Sequence, residues 1–176
     1  MKIKVFADTI CGWCYIGHTR LLKAFNYFEN TSFEVEHKPF QLNPDMPKQG
    51  IRRLEYLKFK FGSKEAAQPM YESMATEALK ENLKFNLNKI QITPNTILSH
   101  ILIKLAFTKK IGHQVLNEIY DSYFLKGVNI GDVNILISIG KSHNISEKEI
   151  IDSFSLDKEI NDINKSSSVA RSTGIN

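Results

Sequence analysis

The sequence predicts an α/β fold in a split layout: a small strand-helix-strand unit first, a long all-helical middle, and a closing helix. Three observations predict it. Residues 2–7 alternate charged and apolar side chains, with Ile3, Val5 and Ala7 on one face, and a second alternating run puts Phe33, Val35 and His37 on one face ahead of Pro39. Between these runs Cys14, Gly17, Leu21, Phe25 and Phe28 recur at spacings of three and four, the stripe of an amphipathic helix. From residue 51 onward the apolar period is helical.

Pro39 has no N–H for a ladder, so the second strand ends near it, and the whole unit has the length of a parallel crossover. The loop from Gln41 to Gly50 contains Pro44 and Pro47, which forbid continuous helix or a central strand. Helices are predicted over 51–61, 64–83, 96–109, 113–125 and 131–140. Ile97, Ile101 and Leu105, then Leu116, Tyr120, Tyr123 and Phe124, form inner stripes, and Phe59, Phe61, Phe85 and Phe107 are assigned to the same core. Ser146 and Glu149 form a capping box, and Asp157 is read as the cap of a last helix running to about Arg171. Two strands are too few for a stable sheet, so further strands are expected, although none is visible after residue 155.

A chain of 176 residues with 42% hydrophobic content can bury one good core, which excludes disorder as the default. Its 23 basic and 19 acidic residues are scattered, so the net charge of +4 implies no nucleic-acid partner. The start has no apolar run of signal-peptide length, and no stretch reaches the roughly 18 apolar residues of a membrane helix. The expected setting is the cytoplasm, with no membrane association. Thiols stay reduced there, so the chain's two cysteines are expected to be catalytic, redox-sensing or metal-binding.

Those cysteines form Cys11-Gly12-Trp13-Cys14. Cys11 falls where strand hands over to helix, so its sulfur faces unsatisfied N–H groups and the positive end of the helix dipole. That environment favours the thiolate, the attacking species, and lowers the thiol below its free value of about 8.5. Cys14 lies one turn later on the same face, within reach of Cys11, as the natural resolving thiol. A structural staple closing so short a loop would remove little unfolded-chain entropy. Zinc needs four ligands, and beyond Cys11, Cys14 and His18 no further cysteine exists, so no metal site is expected.

Trp13 reads either as a contact surface that tunes Cys11 or as an aromatic packed on the loop. Asp8 either shuttles protons for Cys14 or, more simply, holds the turn by side-chain hydrogen bonds. His18 could relay a proton to Cys14, though a helix-surface histidine needs no special role. Tyr15 and Ile16 read as packing residues, and His37 and His100 as packed or partly satisfied core histidines. The cationic stretch Lys48, Arg52, Arg53, Lys58, Lys60 and Lys64 reads as a solvated face, with glutathione or an acidic peptide as its functional alternative.

The segment from Asp8 to Gly17, with Asp8-Thr9-Ile10-Cys11-Gly12-Trp13-Cys14-Tyr15-Ile16-Gly17, resembles the active-site segment of the DsbA-like thioredoxin-fold oxidoreductases. The resemblance is to their cytoplasmic FrnE-like branch, related to 2-hydroxychromene-2-carboxylate isomerases and kappa-class glutathione transferases. Pro39-Phe40-Gln41-Leu42-Asn43-Pro44, with Met46-Pro47 and Gly50, is similar to the loop after the family's second strand. Pro94-Asn95-Thr96, Ser99-His100, Tyr123-Phe124, Gly127 and Asp132 are similar to its helical landmarks.

The resemblance implies a thioredoxin fold over residues 1–44 and 156–176, interrupted by a helical insertion over 45–155. It implies Cys11 as nucleophile and Cys14 as resolving residue in a disulfide oxidoreductase or isomerase. The expected substrate is a disulfide-bearing protein or small molecule, with no tightly bound cofactor and with glutathione or a thioredoxin-type partner as redox donor or acceptor. Cysteine at both positions argues against the serine-using, glutathione-dependent isomerases and transferases, which stay as the alternative beside a non-catalytic peptide-binding module.

Two departures stand out. Gly12 occupies a position where this branch usually has proline, which implies a more flexible turn. Ala170, Gly174 and Ile175 resemble the approach to the family's cis-proline loop, yet no proline follows Pro94. That loop and the last two strands are therefore expected to lie outside this sequence, as in a fragment; the alternative is a truncated chain, and in that case the protein is expected to be poorly stable and weak in substrate capture.

Overall fold

The computed structural model describes residues 1–28 and 32–175. The chain forms β1 (Lys2–Ala7), α1 (Gly12–Phe25) and β2 (Glu34–Pro39). β1 and β2 pair in parallel, from Lys2 opposite Glu34 to Ala7 opposite Pro39. The crossover read from the alternating runs is present, and it brings Asp8 and Cys11 to the C-terminal end of β1.

Next come β3 (Ile51–Arg52), α2 (Arg53–Phe61), α3 (Lys64–Lys80), a 3₁₀ turn at Leu87–Lys89 and β4 (Ile92–Thr93). The remainder is α4 (Ile97–Thr108), α5 (Gly112–Tyr120), a π-helical turn at Asp121–Leu125, α6 (Val133–Ser142), α7 (Glu147–Phe154) and α8 (Asp157–Ser172). The middle is therefore not all helix. β3 and β4 form a two-residue antiparallel ladder, separate from the β1–β2 sheet, with Ile51 opposite Thr93. Arg52 is extended, at φ −60° and ψ 137°, and this delays the helix expected from residue 51 until Arg53. Gly50 makes the ladder possible: its φ is +71°, and a Cβ there would stand 2.6 Å from the Thr93 carbonyl oxygen.

The main core lies among α4, α5, the π turn and α6, where Leu102, Val115, Leu116, Ile119, Tyr120 and Leu136 are fully buried. Each such side chain contributes about 1.5–3 kcal/mol of burial. Tyr15 of α1 inserts into this core, while Ile16 packs on Met74 and Ala78 of α3. The buried face of α1 is consequently Gly12, Tyr15, Ile16 and His18, and the stripe predicted through Gly17 is displaced, with Gly17 exposed. The helices packed on α1 set its inner face, rather than the apolar spacing within α1.

Two further expectations are corrected. Phe59 is 89% exposed, because Tyr56 and Leu57 take the inner face of α2 and leave Phe59 on the other side. Asp157 is the first helical residue of α8, and the cap position belongs to Leu156, which makes no side-chain bond. The Ser146–Glu149 capping box is present in both directions. Among the described residues no helix is long and apolar enough to cross a membrane.

Four of the five histidines converge behind α1, one from each of α1, β2, α4 and α5. The His18 ring stacks on that of His113 at 5.5 Å, and Phe107 lies against both His37 (5.8 Å) and His113 (5.1 Å). His18 is not a surface residue, as the sequence suggested, but only 6% exposed. Burial, followed by the neighbouring His113, pushes the His18 imidazole down to about 4, and burial with its histidine neighbours pushes His37 down to about 3. Below an unfolded value near 6.5 the unfolded chain binds the proton and the folded chain refuses it. Stability is therefore complete above pH 6.5 and falls as the pH drops toward these folded values. Denaturant melts at pH 7 and pH 4.5 should show the protein losing about 2–3 kcal/mol more than its His18→Gln variant over that interval. Equal losses would remove His18 from the account.

Candidate active site

The chain leaves β1 through a tight turn and enters α1 with Cys11 as the N-cap, at φ −94° and ψ 108°. Helices usually use a hydroxyl or carboxylate oxygen at this position to accept an N–H of the first turn. Here the Cys14 N–H donates to Cys11 Sγ at 3.3 Å. Both cysteines are free and half-buried. Trp13, between them in the sequence, is 45% exposed.

The two thiols differ sharply. Cys11 is held below the ordinary thiol range, first by a hydrogen bond from the Cys14 thiol, then by the main-chain N–H groups of Cys14 and Trp13. Burial and the Asp8 charge oppose this lowering. Cys14 is pushed far up, because it donates that hydrogen bond, is buried, and would ionise beside a Cys11 anion. The contact that favours the Cys11 thiolate is thus the one that keeps the proton on Cys14.

Asp8 is the hub of the turn. Its carboxylate accepts the Leu42 N–H at 2.7 Å and lies 3.2 Å from His100 Nε2, and its carbonyl accepts the Cys11 N–H at 3.2 Å. Asp8 and His100 are 1% and 2% exposed. The turn-holding role expected of Asp8 is therefore built from partners 34 and 92 residues away. Thr9 adds a second tie to α4, its hydroxyl 2.8 Å from that of Ser99.

The Leu42 loop is fixed from the far end of the chain. Gln41 N–H donates to Ser167 Oγ at 3.0 Å, Ser166 Oγ donates to the Pro39 carbonyl at 3.0 Å, and Arg171 donates to the Gln41 carbonyl while covering the Phe40 ring at 4.7 Å.

Gly12 does not loosen the turn, contrary to the expectation drawn from the absent proline. It is buried, and a Cβ there would stand 2.4 Å from Met74 Sδ and 3.1 Å from Phe85. Glycine lets α3 come up against the first turn of α1. The His18 ring, offered as a proton relay for Cys14, packs on His113, and its Nε2 is buried without a hydrogen-bond partner. Sequence reasoning missed His100 as a partner of Asp8, and for Tyr15 it foresaw the packing but not the polar tie. The Tyr15 ring stacks on Tyr120 at 4.8 Å, and its hydroxyl donates to Asp121 in the π turn. Among the described residues no three His, Cys, Asp or Glu side chains are grouped so that they could hold a metal ion.

The profile of the DSBA-like thioredoxin domain matches residues 2–176. The chain belongs to that family. The curated protein YwbO of Bacillus subtilis (strain 168), itself uncharacterized, is 25% identical over 141 residues, covering 80% of this chain and 65% of that protein. This chain therefore spans less than two thirds of the length of that relative. The crystal structure of a probable DsbA oxidoreductase, SCO1869, from Streptomyces coelicolor has a TM-score of 0.86 at 23% identity, over 99% of this chain and 76% of that one. The cytosolic disulfide reductase DsbM from Pseudomonas aeruginosa, solved with GSH, has a TM-score of 0.67 at 16% identity, over 99% and 82%. The fold of this DSBA-like chain is the DsbA-like thioredoxin fold, rich in helix.

Two outcomes follow from the geometry. Asp8→Asn removes the charge that opposes both thiolates, so the pH at which Cys11 alkylates half-maximally should move down, while stability falls by about 1–3 kcal/mol as the charge-assisted bonds weaken. An upward shift in the alkylation profile would contradict the assignment. Gly12→Ala should destabilise by no more than about 1 kcal/mol, because the flexible end of Met74 can yield, and less still in a Met74→Ala background, as a double-mutant cycle would measure.

Proposed function

We propose that this protein is a dithiol-disulfide oxidoreductase or isomerase, acting through Cys11 and Cys14 on disulfide-bearing proteins or small molecules in the cytoplasm. The observation that carries the reading is the N-cap geometry. It gives Cys11 an accepted N–H and a thiol hydrogen bond, while Cys14 keeps its proton until Cys11 has reacted.

In the reducing direction the Cys11 thiolate attacks one sulfur of the substrate disulfide. The Cys11–substrate bond forms, and the other substrate sulfur leaves as a thiolate. Cys11 has then lost the negative charge that held Cys14 up, so Cys14 gives up its proton to solvent or to the departing thiolate. It attacks Cys11 Sγ, the Cys11–Cys14 bond forms, and the second substrate thiol leaves. Two electrons have passed to the substrate. Glutathione or a thioredoxin-type protein would restore the dithiol, and the reverse sequence oxidises. Trp13 offers an exposed aromatic surface for the substrate next to the reacting sulfur. A glutathione-dependent isomerase or transferase would differ in needing glutathione for turnover and surviving loss of Cys14.

A redox titration against glutathione, with alkylation and mass measurement, should show one reversible two-electron transition, and Cys11 should alkylate at least about tenfold faster than Cys14 near pH 7. Cys14→Ser should trap a mixed disulfide on Cys11, and Cys11→Ser should trap none. A pair that never closes would refute dithiol exchange.

A further inference from the structure

A groove of about 510 Å³ lies between α2, α3 and the 3₁₀ turn, apart from both cysteines. That volume is within the range of small-ligand sites. Leu57 and Ile90 are buried in its lining, and Leu87 and Phe85 extend the apolar surface. On its wall stands Arg53, which is half-buried, unlike the rest of the cationic stretch predicted as a solvated face. Its guanidinium is 5.4 Å from the centre of the Tyr56 ring and 5.1 Å from that of Tyr71, and one N–H donates to Thr93 Oγ1 at 3.2 Å.

Among the described residues no carboxylate pairs with Arg53, or with Lys64 on the same groove. Elsewhere, Arg20 is held by Glu77 and Glu81, and Lys104 by Glu159 and Asp162. The one acid lining the groove, Glu72, accepts from Gln68 Nε2 at 2.7 Å. A guanidinium drawn partly out of water and left without an anion keeps donors to spare in a geometry suited to a carboxylate.

We propose that this groove receives the carboxylate-bearing, apolar arm of a short peptide disulfide substrate. Arg53 binds the carboxylate, Lys64 adds charge at the rim, and Leu57, Ile90 and Phe85 hold the apolar part. Phe85 connects the groove to the reactive centre. Its ring stacks on Tyr15 at 5.7 Å, and it would lie 3.1 Å from a Cβ on Gly12. An arm in the groove is therefore separated by one aromatic ring from the first turn of α1. That the ligand is a disulfide rests on the oxidoreductase reading; the preference for a carboxylate does not.

The test uses the full chain with both cysteines changed to serine, so that no covalent step intervenes. The probe is acetyl-S-methylcysteinyl-leucyl-phenylalanine, as the free acid and as the C-terminal amide, titrated by calorimetry. The free acid should bind about tenfold more tightly than the amide. Arg53→Gln should abolish that difference, and Arg53→Lys should restore part of it. Equal affinity for acid and amide, or a preference that survives Arg53→Gln in a protein that still melts cooperatively, overturns the proposal. So does competition by 4-phenylbutyrate as strong as the peptide acid itself, since the groove would then hold a plain organic acid.

Turnover of bis(2-hydroxyethyl) disulfide, which is neutral and has no such arm, is measured on the protein with its cysteines intact. It should be unchanged by Arg53→Gln, and a loss there also counts against a separate arm site. If the unsubstituted protein fails to turn over that disulfide while acid selectivity persists, the oxidoreductase reading fails and the anion groove stands.

Discussion

The hydrogen bond from the Cys14 N–H to Cys11 Sγ is the constraint around which the rest of this structure is arranged. A sulfur can cap a helix only if the residue before the first turn is extended, so the chain must leave β1, turn and enter α1 along one path. Asp8 fixes that path by holding the Cys11 N–H on its carbonyl and the Leu42 N–H and His100 on its carboxylate. Leu42 is in turn held through Gln41 by Ser167 and Arg171 of α8. Residues from both ends of the chain and from its middle thus converge on one turn of four residues, and none of these ties touches a sulfur except through it.

The electrostatics of the turn are a compromise between architecture and reactivity. A buried carboxylate is an efficient hub, since hydrogen bonds to charged groups contribute about 1.5–3 kcal/mol each. The same charge raises both thiols. Donors at the helix start offset it, each being aimed at Cys11, and a helix N-terminus adds up to about 2 kcal/mol for a partly buried anion. Because the thiol hydrogen bond runs from Cys14 to Cys11, what lowers one group raises the other. The difference between the two thiols is thereby a property of the pair rather than of either residue.

What could be read from the sequence was local. Alternation in residues 2–7 located β1, the Ser146–Glu149 spacing located the start of α7, and the two-residue gap between the cysteines located the reactive pair. Apart from the one-residue shift of the α8 cap from Asp157 to Leu156, the errors lie where distant packing decides. Gly12 looks like a source of freedom until Met74 of α3 is placed against it, and His18 looks solvated until α5 covers it. Phe59 carries an apolar side chain to the exposed side of a helix whose inner face is already filled. His100 was visible only as one member of a short motif; its significance is a contact across 92 positions, which no spacing rule encodes.

β1 and β2 are one support of α1, and Tyr15 supplies another. It lies one residue past Cys14, is 1% exposed, stacks on Tyr120 and donates to Asp121. Asp121 begins the π turn, where Lys126 N–H reaches back to the Asp121 carbonyl at 3.1 Å, and the widened turn lets Tyr120, Tyr123 and Phe124 all remain in the core. Tyr120 also donates to the Asp8 carbonyl at 3.4 Å, so one core residue contacts the active-site helix and the turn before it. The helical middle therefore acts as the foundation of the reactive centre as well as its wall.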